Sequence, residues 1–266
     1  MARGRIAKVL VQHVETNGDA PRITRRPDEL IVEEPLEIHL DGHLVTTTMR
    51  TPGDDFELAA GLCLTDGLLA GAAVTGCRYC GDSGSAAATE FNVVTVETGG
   101  RAPVPTARVA TTTSSCGLCG SASLDALRQR LYPLHGLTPI SLGVLAAAPS
   151  RTRDQQELFA ATGAVHAAAA FTADGETVVV REDIGRHNAV DKVVGRLLFD
   201  DRLPANDLGL YVSGRASFEI VQKAWAAGFA AVVAVSAPSS LAVDAARAAG
   251  LPLAGFARDG HMNVYS

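Results

Sequence analysis

The sequence predicts an α/β fold: a mixed sheet with an antiparallel β portion at the N-terminus. Two observations lead there. The second half alternates apolar, β-branched runs with segments of helical apolar spacing: helix at 187–199, strand at 208–212, helix at 217–227, strand at 230–235, helix at 239–249 and strand at 251–256. Strands separated by helices of about 11 residues are βαβ units, which require parallel neighbours and right-handed crossovers. The first third carries hairpin chemistry instead, with Asp41-Gly42 between two strand-like runs in 37–45.

In chain order, 6–14 and 30–38 are β-branched and read as strands. Thr51-Pro52-Gly53-Asp54 opens a helical segment through about 69, with acidic residues in its first turn. From 71 to 107 the composition is loose, rich in Gly, Ala, Ser and Pro around one strand at 89–97, and reads as a mobile loop or lid. A helix at 124–131 follows, and 164–171 with 176–181 form a hairpin about Asp174-Gly175. Residues 1–50 form an N-terminal β portion and 51–266 an α/β domain, the two expected to be continuous.

The 266 residues are 47% hydrophobic and 20% charged, which excludes a disordered chain. No run approaches a membrane span, and the first ten residues lack a signal-peptide apolar region, so the chain reads as cytoplasmic. A net charge of −6 argues against a nucleic-acid coat. The cations are nearly all arginine, with Lys8, Lys192 and Lys223 the only lysines. Five cysteines in such a chain point to reactive thiols or metal before disulfides.

Ligands of parallel sheets bind outside the carboxyl ends of the strands. Four loops fall there: 182–188 with Arg186 and His187, 213–215 with Ser213 and Arg215, 236–240 with Ser239, and 256–261. Three lead into helices whose first N–H groups favour an anion, and the set reads as one rim for a phosphate-containing ligand. Each loop taken singly reads as helix caps and turns, and only the set together favours a rim. His187 is a proton shuttle or ligand contact, or a helix-start histidine with a structural hydrogen bond. His166, within an alanine run, reads as a core histidine, and Cys63 as plain core.

Cys116 and Cys119 lie in Ser-Cys-Gly-Leu-Cys-Gly, 115–120, directly before a helix whose dipole lowers a thiol pKa. Cys77 and Cys80 form a second pair. A four-thiolate zinc site would need an unusually long spacing, and a thioredoxin-type pair lacks its strand–helix start. A sulfur-carrying thiolate fits the flanking glycines and the adjacent rim. A zinc deaminase is excluded because Ser115, not proline, precedes Cys116, and no nucleophile elbow supports a serine hydrolase.

These stretches, together with Glu-Asp-Ile-Gly-Arg-His-Asn-Ala-Val-Asp-Lys at 182–192, Ser-Gly-Arg-Ala-Ser-Phe at 213–218 and Ser-Ala-Pro-Ser-Ser-Leu-Ala-Val at 236–243, resemble the FdhD family of formate dehydrogenase accessory sulfurtransferases. The likeness runs from about residue 30 to the end. It implies a cytidine-deaminase-like fold without deamination, and a homodimer. It implies that Cys116, with Cys119 beside it, accepts persulfide sulfur from a cysteine desulfurase. The acceptor it implies is the molybdenum cofactor in its bis(molybdopterin guanine dinucleotide) form, destined for formate dehydrogenase, with no permanent cofactor and no metal. The family's cofactor-binding stretch falls on Phe256, Ala257, Arg258, Asp259, Gly260 and His261, where a more basic residue than His261 is expected. The alternative is a zinc-stabilised guanine-nucleotide-binding module without sulfur turnover.

Overall fold

The computed structural model describes residues 4–17, 20–79, 90–105 and 120–266. Two strands, β1 (Ile6–Glu15) and β2 (Arg22–Ile31), form an antiparallel ribbon with Ile6 opposite Ile31 and Glu15 opposite Arg22. β3 (Glu34–Leu40) and β4 (His43–Arg50) follow as a hairpin. Its turn residues Asp41 and Gly42 both take positive φ, 48° and 85°, which matches the twist of the flanking strands. α1 (Asp55–Thr65), β5 (Gly76–Tyr79) and β6 (Val93–Glu97) complete a four-stranded sheet of order β4-β3-β6-β5 with its covering helix. Leu36, Ile38 and Leu40 alternate inward along β3 and pack under Leu58 and Cys63 of α1. Each fully buried leucine contributes about 1.5–3 kcal/mol.

The second sheet is larger. After α2 (Gly120–Arg130), α3 (Leu142–Arg153) and α4 (Glu157–Thr162) come β7 (His166–Thr172), β8 (Thr177–Asp183) and α5 (Arg186–Phe199). They are followed by β9 (Leu208–Val212), α6 (Phe218–Ala227), β10 (Ala231–Ala234), α7 (Ser240–Ala249), β11 (Leu253–Arg258) and β12 (His261–Val264). The order is β12-β11-β10-β9-β7-β8, with β9, β10 and β11 parallel and β7 reversed against β9. Residues of α2, α5, α6 and α7 cover one face, over Leu208, Leu210 and Val232. Leu145 and Ala148 of α3 cover the other, over Phe171, Tyr211 and Val233. Among the described residues, no helix is long and apolar enough to cross a membrane.

α1 joins the two sheets by packing on α5. The approach is closer than any side chain permits: a Cβ on Gly61 would lie 1.9 Å from the Asp191 carbonyl oxygen, and one on Gly195 would lie 1.9 Å from that of Glu57. The same seam holds buried charge. Lys192 meets Asp183 at 2.8 Å with both side chains fully buried. Asp183 also accepts hydrogen bonds from Thr51 N, Gly185 N and Asn188 Nδ2. Lys223 is held 2.8 Å from Asp191, and although burial works against its charge, Asp191 and Asp66 outweigh it and raise its pKa.

Several expectations are corrected. The helix expected over 51–69 starts at Asp55, because Thr51 N is engaged by Asp183 while Gly53 and Asp54 take positive φ. Within 71–107, the strand expected at 89–97 is β6, and a second strand, β5, pairs with it where only lid was expected. β3 of the N-terminal β portion pairs in parallel with β6 beyond residue 51, so the two portions share one sheet. β2, α3, α4 and β12 are elements that hydrophobic periodicity did not announce.

Candidate functional site: the carboxyl rim of the six-stranded sheet

The β9–β11 ends lie on one edge, and the reversal of β7 brings its first residue, His166, to the same edge, opposite Asp183. Two cavities open along this rim. The outer one, about 900 Å³, lies between α3 residues Leu142, Gly143 and Ala146 and the β11–β12 hairpin, touching Phe256, Arg258, Asp259, Gly260 and His261. The inner one, about 580 Å³, is lined by Ser213, Ala257, Arg258 and Asp259, with Arg153, Gln156 and Phe159 from α3 and its continuation, and with His166. Arg258 and Asp259 line both.

The hairpin's shape explains this division. Asp259 and Gly260 turn the chain with φ of 51° and 77°, the residue pair such a tight turn selects. The β11–β12 register breaks between Gly255 and Arg258, and Phe256 sits in the break with φ of 54°. A bulky residue in that region carries strain of about 1–3 kcal/mol. Its amide is held by the Ser236 carbonyl at 3.2 Å. The outcome is a phenyl ring 48% exposed against the outer cavity, while Ala257 is buried against the inner one. His261 Nδ1 is 2.9 Å from the Asp259 carbonyl and steadies the turn.

Electrostatically the rim is positive. Arg50, Arg181 and Arg196 elsewhere are bound to carboxylates. By contrast Arg153, Arg186, Arg215 and Arg258 have no acid partner among the described residues. The buried Nε of Arg186 has no hydrogen-bond partner there at all, and an orphaned guanidinium donor calls for an acceptor. α5 and α6 begin without side-chain caps, whereas α7 is capped by Ser239, whose Oγ accepts from Ala242 N at 3.2 Å. Ser213 is likewise engaged, its Oγ accepting from Ala167 N at 2.9 Å.

His187 Nε2 lies 2.8 Å from a Glu219 carboxylate oxygen, and this hydrogen bond holds the Glu219 carboxyl below its ordinary range. Arg186, His187 and Arg215 line neither cavity directly but act on His166, which does. Glu182, beside them, caps α4 by accepting from Leu158 N and Phe159 N at 2.8 Å each. Tyr211 and the buried Gln156 are hydrogen-bonded beneath the inner cavity.

The sequence reading missed His166, Arg153, Gln156 and Phe159. The signal for His166 was present, since the amino end of a reversed strand shares the rim with the carboxyl ends of its neighbours. Cys116 and Cys119 lie outside the described residues, as does Cys80. Cys77 packs into the apolar layer between α1 and β6, and burial, then Glu97, pushes its thiol up to about 12. Cys63 is fully buried core.

Fold and rim together define an α/β protein with two cavities and several arginines along one edge of its larger sheet. Residues 31–266 match the FdhD/NarQ family model, and the chain belongs to that family. A relative from Nocardia farcinica, a sulfur carrier protein FdhD, is 51% identical over 91% of this chain and 88% of its own. The protein of the same name from Mycolicibacterium paratuberculosis is 49% identical over 94% of each chain. A crystal structure assigned as a formate dehydrogenase accessory protein, from Desulfotalea psychrophila, superposes with a TM-score of 0.74 at 21% identity, covering 97% of this chain and 96% of the other.

Proposed function

We propose that this chain is a sulfur carrier that loads a persulfide on Cys116 and hands its terminal sulfur to a molybdenum cofactor bearing guanine dinucleotides, for use by formate dehydrogenase. The Cys116 thiolate attacks the terminal sulfur of a cysteine desulfurase persulfide. The donor's sulfur–sulfur bond breaks, the donor leaves as a thiolate, and Cys116 carries the sulfur onward. Cys119 stands beside it. The protein works in the cytoplasm as a homodimer, on a framework shared with cytidine deaminases but without their chemistry.

The observation that carries this reading is the rim itself: arginines without acid partners flank two cavities that share one arginine, next to an aromatic ring held outward by a strained backbone. Charge-assisted contacts from Arg258 suit a diphosphate or a guanine edge, and Phe256 offers a face for stacking. Relatives of about half identity carry the sulfur-carrier name, and the Cys-Gly-Leu-Cys segment leads directly into α2. Intact-mass analysis after incubation with a desulfurase and cysteine tests it. The wild type gains one sulfur atom, Cys119→Ala still loads, and Cys116→Ala does not. Loading of the Cys116→Ala variant would remove the assignment.

A further inference from the structure

His166 opens β7 and is half-buried in the wall of the inner cavity. A Cβ placed on Gly214 would lie 3.4 Å from its Nδ1 and 3.7 Å from Cδ of Arg186. The imidazole, the loop after β9 and the first arginine of α5 therefore converge on one point, which the bare glycine leaves open. Neither ring nitrogen is hydrogen-bonded or ion-paired among the described residues. Such a group faces a cavity with its bonding capacity unspent.

The charges around it come from every neighbouring element. Arg186 and His187 of α5 and Arg215 of the β9–α6 loop face it, with Asp183 at the end of β8. Across the cavity stand Arg153 of α3 and the turn residues Arg258 and Asp259, while α4 contributes only Phe159. Among these charges Arg186 acts most strongly on His166, followed by His187, with Asp183 opposing them and Arg215 adding to them.

We propose that the inner cavity is a proton-linked diphosphate site, in which His166 takes up a proton as a diphosphate anion esterified at both ends settles against it and Arg258. This rests on the preceding reading of the rim as the seat of a guanine dinucleotide and assigns its inner part. Burial first, then Arg186, His187 and Arg215, hold His166 below the ordinary imidazole range, so it is neutral near pH 7 in the empty cavity. A bound anion within about 4–6 Å reverses the field and raises that pKa. Binding then strengthens as pH falls, by up to about tenfold per pH unit between the free and bound values.

The probe is P1,P2-diguanosine diphosphate, in which each phosphorus carries a guanosine ester and the shared anhydride oxygen, so that no weakly acidic terminal oxygen remains and the charge is constant across the experiment. Calorimetric titration at several pH values, in buffers of different ionisation enthalpy, reads affinity and proton uptake together. The wild type is expected to bind about tenfold or more tightly at pH near 5.5 than near 7.5, taking up close to one proton. His166→Gln is expected to bind with little pH dependence and no uptake, and guanosine alone to bind without uptake. On the wild-type protein, the imidazole resonance absent from His166→Gln should titrate at higher pH once the dinucleotide is added. An unmoved resonance, or equal uptake by the variant, overturns the linkage while leaving the rim intact. No dinucleotide binding by wild type at any pH overturns the rim reading and this site with it.

Discussion

Asp183→Asn tests whether the motif at 182–192 is a structural weld. The carboxylate accepts from Thr51 N at 3.1 Å, Gly185 N at 2.8 Å and Asn188 Nδ2 at 3.0 Å, and neutralises Lys192 at 2.8 Å. An amide of the same shape retains one acceptor oxygen and leaves the Lys192 ammonium buried without a counter-charge. Breaking a buried pair in this way costs about 3–5 kcal/mol. With a urea slope of about 3 kcal/mol/M, that loss moves the unfolding midpoint down by about 1–1.7 M. Replacing both partners, Asp183→Asn with Lys192→Met, removes the stranded charge and should recover a large part of the loss. The assay is equilibrium urea unfolding followed by circular dichroism and tryptophan fluorescence. A single variant within about 1 kcal/mol of wild type, or a double variant as unstable as the two singles summed, would refute the reasoning.

Gly61→Ala and Gly195→Ala should each lower the thermal midpoint, because the new methyl meets backbone oxygen at 1.9 Å; overpacking of about 1–3 kcal/mol or more outweighs the helix-propensity gain of about 1 kcal/mol. An unchanged midpoint by calorimetry would mean that α1 and α5 can separate at no cost. Cys77, its pKa raised to about 12, is protonated throughout the neutral range and should resist iodoacetamide at pH near 8, as read by peptide mass spectrometry. Rapid alkylation there would show that the β5 side of the small sheet opens readily. Arg258→Ala, at the residue that lines both cavities, should weaken guanosine diphosphate binding by about 10- to 150-fold, corresponding to about 1.5–3 kcal/mol for a charge-assisted contact. Equal affinity in calorimetry would remove Arg258 from recognition.

The parallel half was legible because its signals are local. β9 spans the expected 208–212, and α6, β10 and α7 fall within a residue of their expected bounds, since buried βαβ strands are continuous apolar runs between amphipathic helices. β2 was not legible: Arg22 through Asp28 are exposed on both faces, so no alternation exists, and pairing with β1 alone defines the strand. β5 is short and bounded by residues outside the described set. For the site, strand ends pointed to the 213–215 and 256–261 loops, because βαβ topology places such ends together. The opposite wall, Arg153, Gln156 and Phe159, belongs to helices whose arrival depends on Glu182 capping α4 and on α3 packing over Phe171. Those are tertiary events with no local period.

The hairpin at the C-terminal edge has a consequence for biosynthesis. β11 and β12 pair at the border of the six-stranded sheet, and their turn contributes Arg258 and Asp259 to both cavities. A chain interrupted after α7 would retain β7 to β10, the α5 seam and the small sheet, yet lack the turn that shapes both cavities. The rim is therefore completed last along the message, and so is the layer under α3, because Ala254 and Ala257 of β11 pack there with Leu145 and Ala148.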